Sequence, residues 1–133
     1  MFKNLFAALG LSCIIIVLLA ACGSVSNDSH PVHMSGSRFL QRSITLKKGE
    51  RITLVNDDLV GSHVIANGTW VNNTARPVRE AGAPSAGNVH IGGNSSITIG
   101  PFTTAGTFQL YCTVHAGLNL TSVVQSEKLS GAV

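Results

Sequence analysis

From Phe39 onward, apolar and polar side chains alternate in short runs broken by glycine, asparagine and proline. Ile44 and Leu46 alternate with Ser43 and Thr45, and Lys47-Lys48-Gly49-Glu50 reads as a turn. Ile52 and Leu54 alternate with Arg51 and Thr53, in a second strand that ends at Asn56-Asp57-Asp58. His63-Val64-Ile65 begins another extended run, and Ser96-Ile97-Thr98-Ile99 a further one that stops at Gly100-Pro101. After a turn at Thr104-Ala105-Gly106, the alternation from Thr107 to Cys112 puts Phe108, Leu110 and Cys112 on one face. Thr121 to Gln125 closes the series. Residues 67–88 lack periodicity and read as a surface loop with a helical turn or an edge strand, packed down by Trp70. No amphipathic helix and no repeat interrupts this pattern. It predicts an all-β fold, a Greek-key sandwich or barrel of about six to eight strands.

The first residues follow a different pattern. Lys3 precedes an almost unbroken apolar run from Leu5 to Ala21, as in a secretory leader. Leu19-Ala20-Ala21-Cys22 resembles the bacterial lipobox, in which the cysteine is acylated after cleavage. Two acyl chains on Cys22 would anchor the protein stably to a membrane. An uncleaved span is the competing reading, at the lower length limit for a transmembrane helix. Both leave the remaining chain on the extracytoplasmic face. The expected organisation is a leader over 1–21, a polar tether over 22–37 whose end is a candidate first strand, one domain over 38–126 and a tail over 127–133. His30, His33 and Met34 fall in the tether, where weak copper binding competes with ordinary linker composition.

Composition removes several function classes. Only 11 % of residues are charged, and removing Lys3 lowers the formal charge from +3 to +2. Lysines and arginines are scattered, so nucleic-acid binding has no support. No Ser/His/Asp set or carboxylate pair is marked by local spacing as a catalytic centre, and the chain is expected not to be an enzyme. Cys13 leaves with the leader and Cys22 takes the lipid, so Cys112 is the single thiol of the mature domain. In an oxidising compartment such a thiol is buried and inert, or it is ligated to a metal.

Ligation is favoured by Tyr111-Cys112-Thr113-Val114-His115, where a thiolate and an imidazole stand three residues apart at the end of an apolar strand. His63 can complete a His₂Cys set, the ligand set of electron-transfer copper sites. His90 is isolated and reads as a surface histidine.

His63, Cys112 and His115, in that order within a small secreted β domain, resemble the cupredoxin family of type 1 copper proteins. Gly100-Pro101-Phe102-Thr103-Thr104-Ala105-Gly106-Thr107-Phe108 before Tyr111-Cys112 is similar to the strand entering the copper loop in plastocyanin- and amicyanin-like members. The resemblance implies one copper ion held by these three residues, and Val64 offering its N–H toward the cysteine sulfur. It implies transient redox partners that dock beside His115, on Ala116, Gly117 and Leu118. The departure is axial. Family loops carry a methionine where this chain has Leu118 (or, for the longer loop, Leu120), and a leucine there is expected to raise the potential. Copper storage or delivery without electron transfer, and an interaction module that has lost copper, are the alternatives.

Overall fold

Period-two alternation gives each strand one apolar face, and two sheets bury those faces against each other. The computed structural model describes residues 29–125, all in strands and loops with no helix among them. One sheet is built from β1 (Ser29–Ser35), β2 (Arg38–Phe39), β4 (Arg51–Asn56) and β9 (Ser95–Ile99), in the order β2-β1-β4-β9. The other takes β3 (Ser43–Lys47), β5 (His63–Asn67), β8 (Val89–Ile91), β10 (Gly106–Cys112) and β11 (Asn119–Gln125), in the order β3-β11-β10-β5-β8. β6 (Thr69–Val71) and β7 (Thr74–Arg76) form a separate hairpin. The pairs β1–β4 and β3–β11 are parallel and the rest antiparallel. The core between the sheets includes Val32, Met34, Leu46, Leu54, Ile65, Phe102, Phe108, Leu110 and Leu120, all nearly inaccessible.

The all-β expectation holds, with more strands than alternation alone suggested. The additional ones are short. β6 and β7 lie inside the segment read as a loop, joined by Asn72-Asn73 with both residues at positive φ (48° and 59°). This is the two-residue turn whose twist matches a hairpin, and asparagine tolerates it.

The expected tether gives way to strand at Ser29. Pro-Val-His-Met-Ser alternates with period two, and Val32 and Met34 are fully buried. Polar composition concealed this alternation, and the domain starts at least nine residues before the expected boundary of 38. β2 pairs only with Met34 and Ser35, so Pro31 sits where no hydrogen-bond donor is required on the open side. Met34→Ala is therefore expected to destabilise the domain by about 2–5 kcal/mol, as large-to-small core changes do. A shift in denaturant midpoint at unchanged m-value would measure it. The expected leader, Cys22 and the tail over 127–133 lie outside the described residues. No helix among the described residues is long and apolar enough to cross a membrane.

Two features set one end of the sandwich. Asn56, the last residue of β4, is fully buried, and its amide donates to the carbonyls of Gly61 (3.3 Å) and Gly92 (3.0 Å). Its Oδ1 accepts from the Asp58 N–H at 3.2 Å, so one side chain shapes the loop that leads into His63. Gly93 lies beneath the same loop, where a Cβ would run into the Leu59 carbonyl.

Candidate metal centre

Three elements deliver the three candidate ligands. His63 opens β5, Cys112 closes β10, and His115 follows in the loop between β10 and β11. Register places Cys112 opposite Ile65, two residues beyond His63 on the neighbouring strand. Their ligand atoms all lie within 4.8 Å of one another. Cys112 Sγ is 3.7 Å from His63 Nδ1 and 3.4 Å from His115 Nδ1. The two imidazole centroids are 4.9 Å apart at 53°. His63 and Cys112 are buried, whereas His115 is partly exposed.

These spacings fit a metal. Metal–nitrogen and metal–sulfur bonds of about 2.0–2.3 Å, at angles between tetrahedral and trigonal, put N and S about 3.5–3.8 Å apart. Both histidines turn Nδ1 toward the sulfur, so ligation through Nδ1 leaves the proton on Nε2.

Burial holds the His63 imidazole below its ordinary value of 6.5; the neighbouring His115 acts in the same direction and Asp58 opposes. The folded chain thus keeps His63 neutral and ready to ligate. In the unfolded chain His63 takes up a proton below about 6.5, so the metal-free domain loses stability as pH falls through that value. Urea midpoints of metal-free protein are expected to be lower at about pH 5.5 than at pH 7.5, with a smaller difference in His63→Gln.

The ligand loop is closed by its own backbone. The Cys112 N–H donates to the Leu118 carbonyl at 3.0 Å, and the Leu118 N–H to the His115 carbonyl at 3.2 Å. The β10–β11 ladder pairs Leu110 with Leu120 and Tyr111 with Asn119. One further step of the same register sets Leu118 opposite Cys112. Residues opposite one another in an antiparallel pair share a face, so the buried Leu118 side chain lies on the face of the thiol. Leu120, also buried, is opposite Leu110, two residues farther from Cys112.

Residues outside the ligand set hold both ends of the loop. Trp70 Nε1–H donates to the Cys112 carbonyl at 2.8 Å, and its ring meets Tyr111 edge-on at 6.0 Å. The Asn119 amide brackets the Trp70 backbone, accepting from its N–H at 2.7 Å and donating to its carbonyl at 3.2 Å. The β6–β7 hairpin is thereby fastened to the residue that opens the loop and to the one just after it. The hydrophobic pattern assigns Trp70 to packing and Asn56 to a strand end, and carries no signal for Asn119. A half-buried indole N–H needs an acceptor, a signal that existed without naming the partner. Trp70→Phe keeps an aromatic six-membered ring but loses this donor and the indole's five-membered ring. We expect a loss of about 0.5–1.5 kcal/mol, read by thermal denaturation of the metal-free protein.

Other expectations are redistributed. Val64 meets the ligand loop through its carbonyl, which accepts from the Thr113 N–H at 2.8 Å. The expected N–H contact to the sulfur is not among the hydrogen bonds of the described residues. Ala116 and Gly117 are exposed, but Leu118 is buried and cannot contribute to an exposed patch. Exposed apolar side chains at this end include Val114 on the ligand loop and Leu59 and Val60 on the loop entering His63. His30, His33 and Met34 do not converge. His30 Nε2 lies 2.9 Å from a Glu50 oxygen, His33 Nδ1 lies 2.9 and 3.0 Å from the Asp57 carboxylate, and Met34 is in the core. His90 is exposed on β8.

A two-sheet sandwich whose strand ends gather His-Cys-His at one pole is the architecture of the cupredoxins, and this chain has their fold. Among solved structures, amicyanin from Paracoccus versutus matches over 77 % of this chain and 86 % of its own, at a TM-score of 0.56 and 20 % identity. The reduced state of a proline-to-phenylalanine amicyanin variant matches over 77 % and 87 %, at 0.54 and 17 %. An oxidized methionine-to-leucine amicyanin variant matches over 72 % and 81 %, at 0.53 and 18 %. No protein-family model matches the sequence, and no curated protein matches it. Fold and ligand cluster together support one type 1 copper at His63, Cys112 and His115.

Proposed function

We propose that this protein is an extracytoplasmic electron carrier, anchored by lipid on Cys22, that holds one copper through His63, Cys112 and His115. The observation that carries this reading is the convergence of a fully buried thiol and two imidazoles within 4.8 Å, on three elements of one sandwich. Copper bound there supplies a one-electron couple, for which a thiolate and two imidazoles suit both oxidation states. The chain supplies rigidity. His63 and Cys112 sit on paired strands, the loop is closed by hydrogen bonds at its neck, and Trp70 and Asn119 fasten that neck from outside.

Leu118 takes the axial position in this reading. Its side chain shares the face of the thiol and brings hydrocarbon where the family carries a weak sulfur donor. Losing that donation disfavours the oxidised ion and raises the potential. His115 is the candidate ligand with an accessible edge, and Val114, Leu59 and Val60 give its end of the molecule apolar surface suited to a small, transient interface.

Storage or delivery demands the opposite behaviour, an ion that is easily surrendered. The test is to load the purified domain with Cu(II), record visible and EPR spectra, and challenge it with a Cu(I) chelator after reduction. An intense thiolate-to-copper band, a reversible one-electron wave and slow release are expected. Absence of the band in copper-loaded protein, or release as fast as mixing, overturns the carrier reading.

A further inference from the structure

Beside the ligand loop the surface opens into a groove of about 320 Å³, with Ala116, Gly117 and Leu118 on one side and Arg38 and Arg42 among the residues facing them. We propose that this groove receives carboxylate side chains from an acidic surface of the redox partner protein; the inference rests on the electron-carrier reading.

The two arginines are the first reason. Both are exposed, and among the described residues neither makes an ion pair or a side-chain hydrogen bond. Arg51 and Arg79 differ, since their guanidinium groups donate to the carbonyls of Gly100 (3.0 Å) and Ala83 (2.9 Å). Arg38 and Arg42 thus have free donors, as exposed Arg76 does, but only these two of the three line the groove beside the ligand loop. A guanidinium offers two parallel N–H groups to a carboxylate, a geometry that gives both strength and orientation.

The second reason is that the groove is cationic and its frame is fixed. No carboxylate lines it. The nearby acids are already engaged, Asp57 by His33 and Asp58 by the Gly36 N–H (2.7 Å) and the Ser35 hydroxyl (3.2 Å). The Thr121 N–H donates to the Arg42 carbonyl at 3.0 Å, and the Leu40 N–H to the His33 carbonyl at 2.8 Å, which ties the segment carrying both arginines to the two sheets. Leu40, between them in sequence, is 56 % exposed. Cationic side chains around exposed aliphatic surface are the composition of a weak protein interface.

Position and size decide the occupant. The groove's wall is the segment directly after His115, so a partner carboxylate held there brings the partner's surface against the accessible candidate ligand. A volume of about 320 Å³ is at the small end of ligand pockets; it suits one or two acidic side chains better than an organic cofactor. Anionic lipid is disfavoured by topology. The groove adjoins the Ser35-to-Arg38 turn, at the end of β1 away from Ser29, and the proposed anchor precedes Ser29.

The test pairs wild type with Arg38→Glu/Arg42→Glu. Heptaglutamate is titrated into ¹⁵N-labelled Cu(I) protein and into metal-free protein, and oxidation of the Cu(I) form by hexacyanoferrate(III) is followed. Shifts are expected at Arg38, Arg42 and residues 116–121 in wild type and not in the variant. The oxidation rate of the variant should be about tenfold lower at about 10 mM salt and approach wild type at about 0.5 M, as screening removes the attraction. The visible band should not change, and the potential should stay near wild type when compared at about 0.5 M salt, where the added charges are screened. Shifts absent from wild type, retained in the variant or reproduced by heptalysine overturn the proposal. So does binding to phosphatidylglycerol vesicles, but not to the peptide, that the variant loses. Peptide shifts in metal-free protein need no copper, so a missing charge-transfer band would overturn the carrier reading while these shifts still report on the groove.

Discussion

Cys112→Ser abolishes the intense visible absorption of the copper-loaded protein. Among His63, Cys112 and His115, only the thiolate can transfer charge to copper at visible energies. A serine hydroxyl stays protonated near neutrality and is a poor donor to a soft ion. The substitution is nearly isosteric at a wholly buried position, so the fold should survive with a loss of about 1–3 kcal/mol for a hydroxyl short of partners. Metal-free stability measured alongside separates a lost ligand from a lost fold. A folded serine variant that kept the band would remove Cys112 from the site.

Leu118→Met lowers the reduction potential. A thioether on the face of the thiol restores weak donation to the oxidised ion. If that tightens Cu(II) relative to Cu(I) by about ten- to a hundredfold, the potential falls by about 60–120 mV for a one-electron couple. The exchange roughly conserves volume and should cost less than about 1.5 kcal/mol. Leu120→Met is the internal control. Leu120 pairs with Leu110 rather than continuing to Cys112, so its replacement should leave the potential near wild type. Redox titration of the three proteins decides the matter. An unchanged potential in Leu118→Met would displace leucine from the axial position.

Much of this molecule could be read from the chain because alternation is local. Thr107 to Cys112 declares Phe108, Leu110 and Cys112 as its inner face, and all three are buried; Tyr111 departs from the alternation, buried on the other face against Trp70. The meeting of His63 with Cys112 and His115 was legible through chemistry, since a lone thiol close to an imidazole asks for a third donor. Register was not legible. The short Ala116-Gly117-Leu118 segment favours Leu118 over Leu120, but which of the two continues the ladder opposite Cys112 depends on how two strands align across a loop. β1 was hidden for another reason. His30, His33 and Ser35 give its segment the composition of a linker, and only the parallel pairing with β4 shows that Val32 and Met34 are core. Trp70 and Asn119 belong to a third kind, long-range hydrogen bonds between residues 49 apart in sequence.

The early start of β1 bears on where this protein can work. With lipid on Cys22, as proposed, only residues 23–28 separate the anchor from Ser29, a leash that reaches at most about 25 Å when drawn straight. A leash beginning at residue 38 would have been more than twice as long. Ser29 pairs with Arg51 while Met34 pairs with Asn56, so β1 runs from the pole of Ser29 toward the pole that holds the ligand cluster. The sandwich would ride close to the bilayer with His115 and the arginine groove turned outward. It would meet its partners from the aqueous side while its own wandering stayed confined to two dimensions.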